Sequence, residues 1–175
     1  MRILKVTYNS LGIFPKPKFC TRFALTSPVV IHYGTIKYSP ELMKPVDHKR
    51  WSKPGGGLWT SPVDSNWGWK DWCISNEFRD CREENSFKLK FIDKAKILLI
   101  DSLDDLIALP KVTFSIGDSY KEQYPDFKLL ATLCDAIWLT EEGQRDTHLS
   151  HPYNLYGWDC ESVFIINSKC CYQIS

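Results

Sequence analysis

Residues Lys53 to Phe78 read KPGGGLWTSPVDSNWGWKDWCISNEF and hold three consecutive glycines, four of the chain's seven tryptophans and one of its seven cysteines. Glycine loses more backbone freedom on folding than any other residue, so Gly55, Gly56 and Gly57 predict positive φ or a close backbone approach, with a flat group nearby. Leu58 to Ser61 reads as a short strand stopped by Pro62, which cannot extend a central ladder. Asp64, Ser65 and Asn66 offer N-caps for a helix in which Trp69, Trp72 and Cys73 share one face at i, i+3 and i+4. The stretch predicts strand, turn and aromatic-faced helix.

The chain has 175 residues, 43% hydrophobic and 14% aromatic, long enough for one well-buried core and short for two. One domain over residues 1–175 is expected. Lys and Arg number 22 against 21 Asp and Glu, so total charge calls for neither nucleic acid nor an anionic membrane as partner. Seven cysteines without pairing rhythm argue against a disulfide framework, and the lack of CxxC argues against a zinc ribbon. Met1 to Val6 lacks the apolar run of a signal peptide, and no stretch approaches a membrane span. The expectation is a soluble cytoplasmic protein.

Working outward, Arg2 to Tyr8 alternates as a half-buried strand, Pro15 to Lys18 is an extended connector and Thr26 to Pro28 a turn. Val29 to Thr35 is β-branched and apolar enough for a buried strand ending in polar residues. Pro40 to Lys53 reads as a loop in which Lys44, Lys49, Arg50 and Lys53 form a cationic patch, either a solvated rim or a phosphate-facing one. Beyond the tryptophan helix, Ser86 to Phe91 and Ala95 to Ile100 read as strands. Asp101-Ser102 caps a helix from Leu103 to Leu109, where Asp101, Asp104 and Asp105 are first-turn acids favoured by the helix dipole rather than metal ligands. Tyr124 to Cys134 reads as a helix with Leu129, Leu130 and Leu133 on one side. Ala136 to Thr140 is a strand, Glu141 to Gly157 a long polar loop, and Ser162 to Ile166 the last strand.

Three polar points thus fall at strand ends: His32 to Thr35, Trp59 to Ser61, and Asp159 to Glu161. Singly, each has an ordinary explanation, as a satisfied core histidine, a packed tryptophan and a solvated strand edge. Together, with glycines before the tryptophan and a long loop before the glutamate, they describe a cleft built from strand ends.

In their order, His32-Tyr33-Gly34-Thr35, Gly57-Leu58-Trp59, Trp72-Cys73 and Glu161 resemble the successive motifs of the ADP-ribosyltransferase superfamily. The branch they resemble carries a His-Tyr-Glu triad and includes poly(ADP-ribose) polymerases and diphtheria-type toxins. The resemblance spans His32 to Ile166. It implies an α+β fold in which split β-sheets, with flanking helices, frame an NAD cleft.

By that resemblance His32 holds the adenosine-side ribose, the backbone at Tyr33 or Gly34 meets the nicotinamide amide, Thr35 belongs to the same NAD-binding strand end, and Trp59 stands at the position of the triad tyrosine. Gly57 precedes it, Trp69 and Trp72 supply helix aromatics able to stack on nicotinamide, and Glu161 matches the catalytic acid. A carboxylate bonded to the ribose favours the positive charge that develops as the glycosidic bond breaks. Asp159, Tyr153 and Tyr156 fall where the acceptor is met. Trp59-Thr60-Ser61 also resembles the Ser-Thr-Ser strand of the arginine-modifying branch, which would make Ser61 the second-motif residue. This sequence departs from the family in the Tyr33 inserted between His32 and Gly34, and in a tryptophan replacing the triad tyrosine.

The implied activity is mono-ADP-ribosyl transfer from NAD to a protein or nucleic-acid acceptor, in a toxin-like or effector-like setting, without a metal. Two alternatives stay open. One is an NAD glycohydrolase on the same scaffold, and the other an inactive phage or bacterial protein that binds a protein partner through its tryptophan-rich face. Cys160 with His148 and His151 could suggest a thiol nucleophile, but flanking carboxylates raise a thiol pKa. His148 and His151 as a metal pair lack a third ligand. Cys170 and Cys171 read as an irregular C-terminus.

Overall fold

The computed structural model describes residues 29–50, 52–116, 120–151 and 154–175. The expected strand at Arg2–Tyr8, the connector after it and the turn at Thr26 lie outside them. The chain runs β1 (Val29–Tyr33), β2 (Asp47–Arg50), β3 (Lys53–Gly55), β4 (Leu58–Pro62), α1 (Trp69–Ser75), β5 (Ser86–Phe91), β6 (Ile97–Ile100) and α2 (Leu103–Ile107). It continues through β7 (Lys111–Ile116), β8 (Tyr120–Pro125), α3 (Phe127–Leu133), β9 (Ala136–Leu139), α4 (Glu141–Thr147), β10 (Ser162–Ile165) and β11 (Cys171–Ile174). The class is α+β.

Seven strands form one sheet in the order β11-β5-β1-β4-β10-β9-β6, antiparallel except for the parallel pair β6 and β9. The pleat divides its side chains between two cores. Leu98, Ile100, Ile137, Leu139 and Phe164 pack on one face with Trp158 and with the α2 and α3 residues Leu106, Phe127 and Leu130. Val30, Phe87, Leu89, Ala136, Val163 and Ile165 pack on the other, with Cys170 and Cys171. Strand β5 alternates buried and exposed residues through Phe87, Leu89 and Phe91, as its sequence period predicts.

The glycine run behaves as its composition predicts. Gly56 and Gly57 have φ of 73° and 53°. A Cβ on Gly57 would come within 2.4 Å of the Phe164 ring, the flat neighbour that the run requires. Strand β4 ends at Pro62, and the Trp69, Trp72 and Cys73 face of α1 packs with Ile31, Tyr33 and Cys81 into a third, smaller core. The helix N-cap is Gly68 rather than Asp64, Ser65 or Asn66. Asp71 accepts from Gly68 N at 2.9 Å, and Ser61 Oγ accepts from Trp69 N at 2.9 Å, so a strand residue caps the helix.

Four further expectations are corrected. Asp47–Arg50 and Lys53–Gly55 pair as the β2–β3 hairpin rather than lying in a loop, with an irregular register that hides its period. Tyr124 and Pro125 end β8, and α3 starts after the Asp126 cap, which accepts from Leu129 N. Its buried residues are Phe127 and Leu130, while Leu129 and Leu133 are exposed, because the later start rotates the inward stripe. Within the expected loop after Thr140 lies α4, capped by that threonine, with Gly143 packed so closely on Ile100 O that a Cβ would lie 2.2 Å from it. Strand β10 is followed by β11, so Cys170 and Cys171 are core residues rather than an irregular end.

Candidate functional site

Strands β1 and β4 pair only at Val30 with Pro62 and Ile31 with Ser61. Beyond Ile31 they part: β1 follows β5 as far as Tyr33, and β4 follows β10 as far as Leu58. The seam is bridged once, where His32 Nδ1 donates to the Trp59 carbonyl at 2.8 Å, a side chain standing in for a ladder bond. That bond fixes the tautomer, since a carbonyl only accepts, and leaves Nε2 as the acceptor. Burial lowers the His32 pKa, the Arg79 charge adds to the lowering and the carbonyl bond opposes it, so the ring is neutral at neutral pH. Phe87 packs against it at 5.1 Å between centroids.

The parting strands open a cleft of about 210 Å³, walled by Tyr33, Trp59, Ser61, Trp69, Asp159 and Cys160, with His32 and Arg79 at its side. Trp59 is held from behind by Trp158, edge-on at 4.5 Å, and by Phe164 at 4.8 Å. Trp69 is backed by Trp72, stacked at 5.1 Å and 14°, with Phe78 edge-on to both. Lys53 extends over this pair of indoles, its Nζ 4.8 Å from the Trp59 centroid, 5.9 Å from Trp69 and 3.6 Å from the Asp159 carboxylate. A second hollow of about 200 Å³ shares Ile31, Tyr33, Ser61 and Trp69 with the cleft and continues past Asp71, Glu83 and Lys88.

Six of the residues singled out in the sequence meet at this cleft: His32, Tyr33, Trp59, Ser61, Trp69 and Asp159. Others do not line it. Trp72 is the backing of Trp69. Gly34, at φ 123°, donates its N–H to Asn85 O at 2.8 Å, and Thr35 is exposed, its Oγ1 turned to Lys37 N. Gly57 sits under Phe164. Tyr156 is exposed beside His148, 5.2 Å between rings. Tyr153 lies outside the described residues.

Glu161 is close in sequence but turned away. Cys160 and Ser162 line the cleft while Glu161 between them does not. Its carboxylate accepts from Trp138 Nε1 at 2.8 Å and its residue is 8% exposed. Burial raises its pKa, opposed by hydrogen bonds from Ser65 and Trp138.

Cysteine chemistry finds no support. Every described cysteine is unpaired, and burial pushes the Cys160 thiol up to about 11, away from nucleophilic thiolate. Among the described residues no three His, Cys, Asp or Glu side chains are grouped to hold a metal ion, and no helix is long and apolar enough to cross a membrane.

Sequence reasoning missed two members of the site. Lys53 was legible only as part of a basic patch, because the hairpin that turns it over the tryptophans has no clear period. Arg79, whose Nη2 reaches the Tyr33 carbonyl at 3.5 Å, carries no sequence signal at all. In comparison with known proteins, no family model, no curated protein and no solved structure matches this chain significantly.

Proposed function

We propose that the chain is a mono-ADP-ribosyltransferase that binds NAD in the cleft between β1 and β4, cleaves the bond between nicotinamide and ribose, and passes ADP-ribose to a macromolecular acceptor. The observation that carries this reading is the seam itself. The three strand ends that carry the family resemblance lie on adjacent strands, β1, β4 and β10, and the first two part to leave an aromatic-walled cleft.

The chemistry available there suits the reaction. Trp59 and Trp69 offer flat faces to a nicotinamide ring, and neutral His32 offers Nε2 as acceptor to a ribose hydroxyl. Bond breaking develops positive charge on the ribose, which a fixed carboxylate favours over bulk water. The cleft wall presents Asp159 for that role, while Glu161 is engaged with Trp138. The proposal therefore assigns the charge-stabilising carboxylate to Asp159 and makes Glu161 a positioning residue at the start of β10. The second hollow past Trp69 gives a two-ended dinucleotide room to extend.

The test is incubation of the purified protein with labelled NAD, alone and with cell lysate. Nicotinamide release accompanied by label on a macromolecule supports transfer. Release without an acceptor would indicate a glycohydrolase, and no release under either condition would leave a binding protein on this scaffold.

A further inference from the structure

We propose that the cleft contains a subsite for a positively charged aromatic ring, and that Lys53 is its tethered resident, displaced when such a ring binds. The ligand's identity rests on the NAD reading, since the nicotinamide of oxidised NAD is a pyridinium cation; the subsite itself rests on geometry.

The Lys53 ammonium lies 4.8 Å from the Trp59 ring, 5.9 Å from the Trp69 ring and 3.6 Å from the carboxylate of Asp159. Two electron-rich rings and one negative charge converging on a point are what recognises an organic cation in a partly dry site. The fold puts the lysine there. Its stem passes over the bare Cα of Gly157, where a Cβ would lie 3.0 Å from Lys53 Cβ. The preceding carbonyl, Ser52 O, is held by the buried Trp158 indole at 2.8 Å. The only other cation in the cleft lining, Arg79, is engaged with the Tyr33 carbonyl.

Three consequences follow. With Lys53 in place Asp159 has an ion-pair partner and the ammonium occupies the position over the two indoles. A pyridinium that displaces the ammonium takes its place against the two indoles and Asp159, which sets the carboxylate beside the ribose joined to the ring nitrogen. When the glycosidic bond breaks, its electron pair passes to the ring nitrogen, the ring becomes neutral nicotinamide with no charge to offer Asp159, and the ammonium returns to the carboxylate. Lys53 thus competes with the charged ring for this position, and its return speeds departure of the product.

The probes are the N-methylnicotinamide cation and neutral nicotinamide, titrated against folded wild type, Lys53→Met, Lys53→Gln and Lys53→Arg by calorimetry, so that no turnover is needed. Removing the resident ammonium in Lys53→Met and Lys53→Gln should tighten cation binding about tenfold. Lys53→Arg, which keeps a resident cation, should bind like wild type, and neutral nicotinamide should change by less than about twofold across the series. Unchanged or weaker cation binding in both neutral variants, an equal gain for the neutral ring, or no cation binding by any form would overturn the proposal. A selective gain for the cation in a protein that does not cleave NAD would support the subsite and contradict the enzymatic reading, so the two failures are distinguishable.

Discussion

Trp138 donates its indole N–H to the carboxylate of Glu161 at 2.8 Å, and this bond engages the acid away from the cleft that its neighbours Cys160 and Ser162 line. The carboxyl is buried and its pKa is raised, so the fold favours its protonated form. The stability tied to this group is therefore full below the ordinary glutamate range and is lost as pH rises through the folded value. Glu161→Gln keeps an acceptor for Trp138 but cannot ionise. It should melt at or above the wild-type temperature at pH 7 and should lack that decline, as seen in melting curves taken from pH 4 to pH 8. Trp138→Phe removes the donor and should cost about 1–3 kcal/mol in denaturant unfolding at pH 7.

His32 shows the opposite sign. Its folded pKa lies below the ordinary 6.5 because burial disfavours the charged ring. It contributes stability that is present above pH 6.5 and lost as pH falls through the folded value. The difference in unfolding free energy between wild type and His32→Gln should shrink as pH is lowered below 6.5. A difference that is constant with pH would mean that the ring does not titrate across the seam.

Gly57 tests the turn on which β4 depends. At φ 53°, with Phe164 2.4 Å from where a Cβ would stand, Gly57→Ala combines backbone strain with overpacking. A cost of about 1–3 kcal/mol is expected from the steric clash alone, read from the denaturant midpoint.

The tryptophans should divide into two classes. Trp158 is fully buried, supports Trp59 edge-on and donates to Ser52 O, so Trp158→Ala should cost about 3–5 kcal/mol and disturb ligand binding and fold together. Trp69 is half-buried on the cleft wall, and Trp69→Phe should keep most of the stability while weakening binding of NAD. Equal stability losses in the two variants would show that Trp69 is packing rather than wall.

What the sequence made legible follows from local physics. The strands β1, β4, β5, β9 and β10 were readable because each is a run of apolar or alternating residues with a clear stop, such as Pro62 after Ser61. The glycine turn and the aromatic face of α1 were readable because positive φ and helical spacing leave direct marks in residue type. The hairpin β2–β3 was not, since its short strands have an irregular register and few apolar residues. The start of α3 was misplaced because Pro125 suits a first helical turn as well as a strand end, and only the Asp126 cap decides between them. At the site, sequence order brought His32, Trp59 and Asp159 into view, but only tertiary contacts put Asp159 on the cleft wall and Glu161 against Trp138. Neither Lys53 nor Arg79 could be placed without tertiary contacts.

The measurement that tests the central claim most directly is the rate of nicotinamide release from NAD by wild type, Asp159→Asn and Glu161→Gln, each shown to be folded. The account predicts release by wild type, a loss of about a hundredfold or more in Asp159→Asn, where a fixed charge at the reacting centre is removed, and substantial retention in Glu161→Gln. No release by wild type with or without lysate would contradict the enzymatic reading. Loss in Glu161→Gln alone would return the catalytic role to Glu161 and require its carboxylate to leave Trp138 for the cleft.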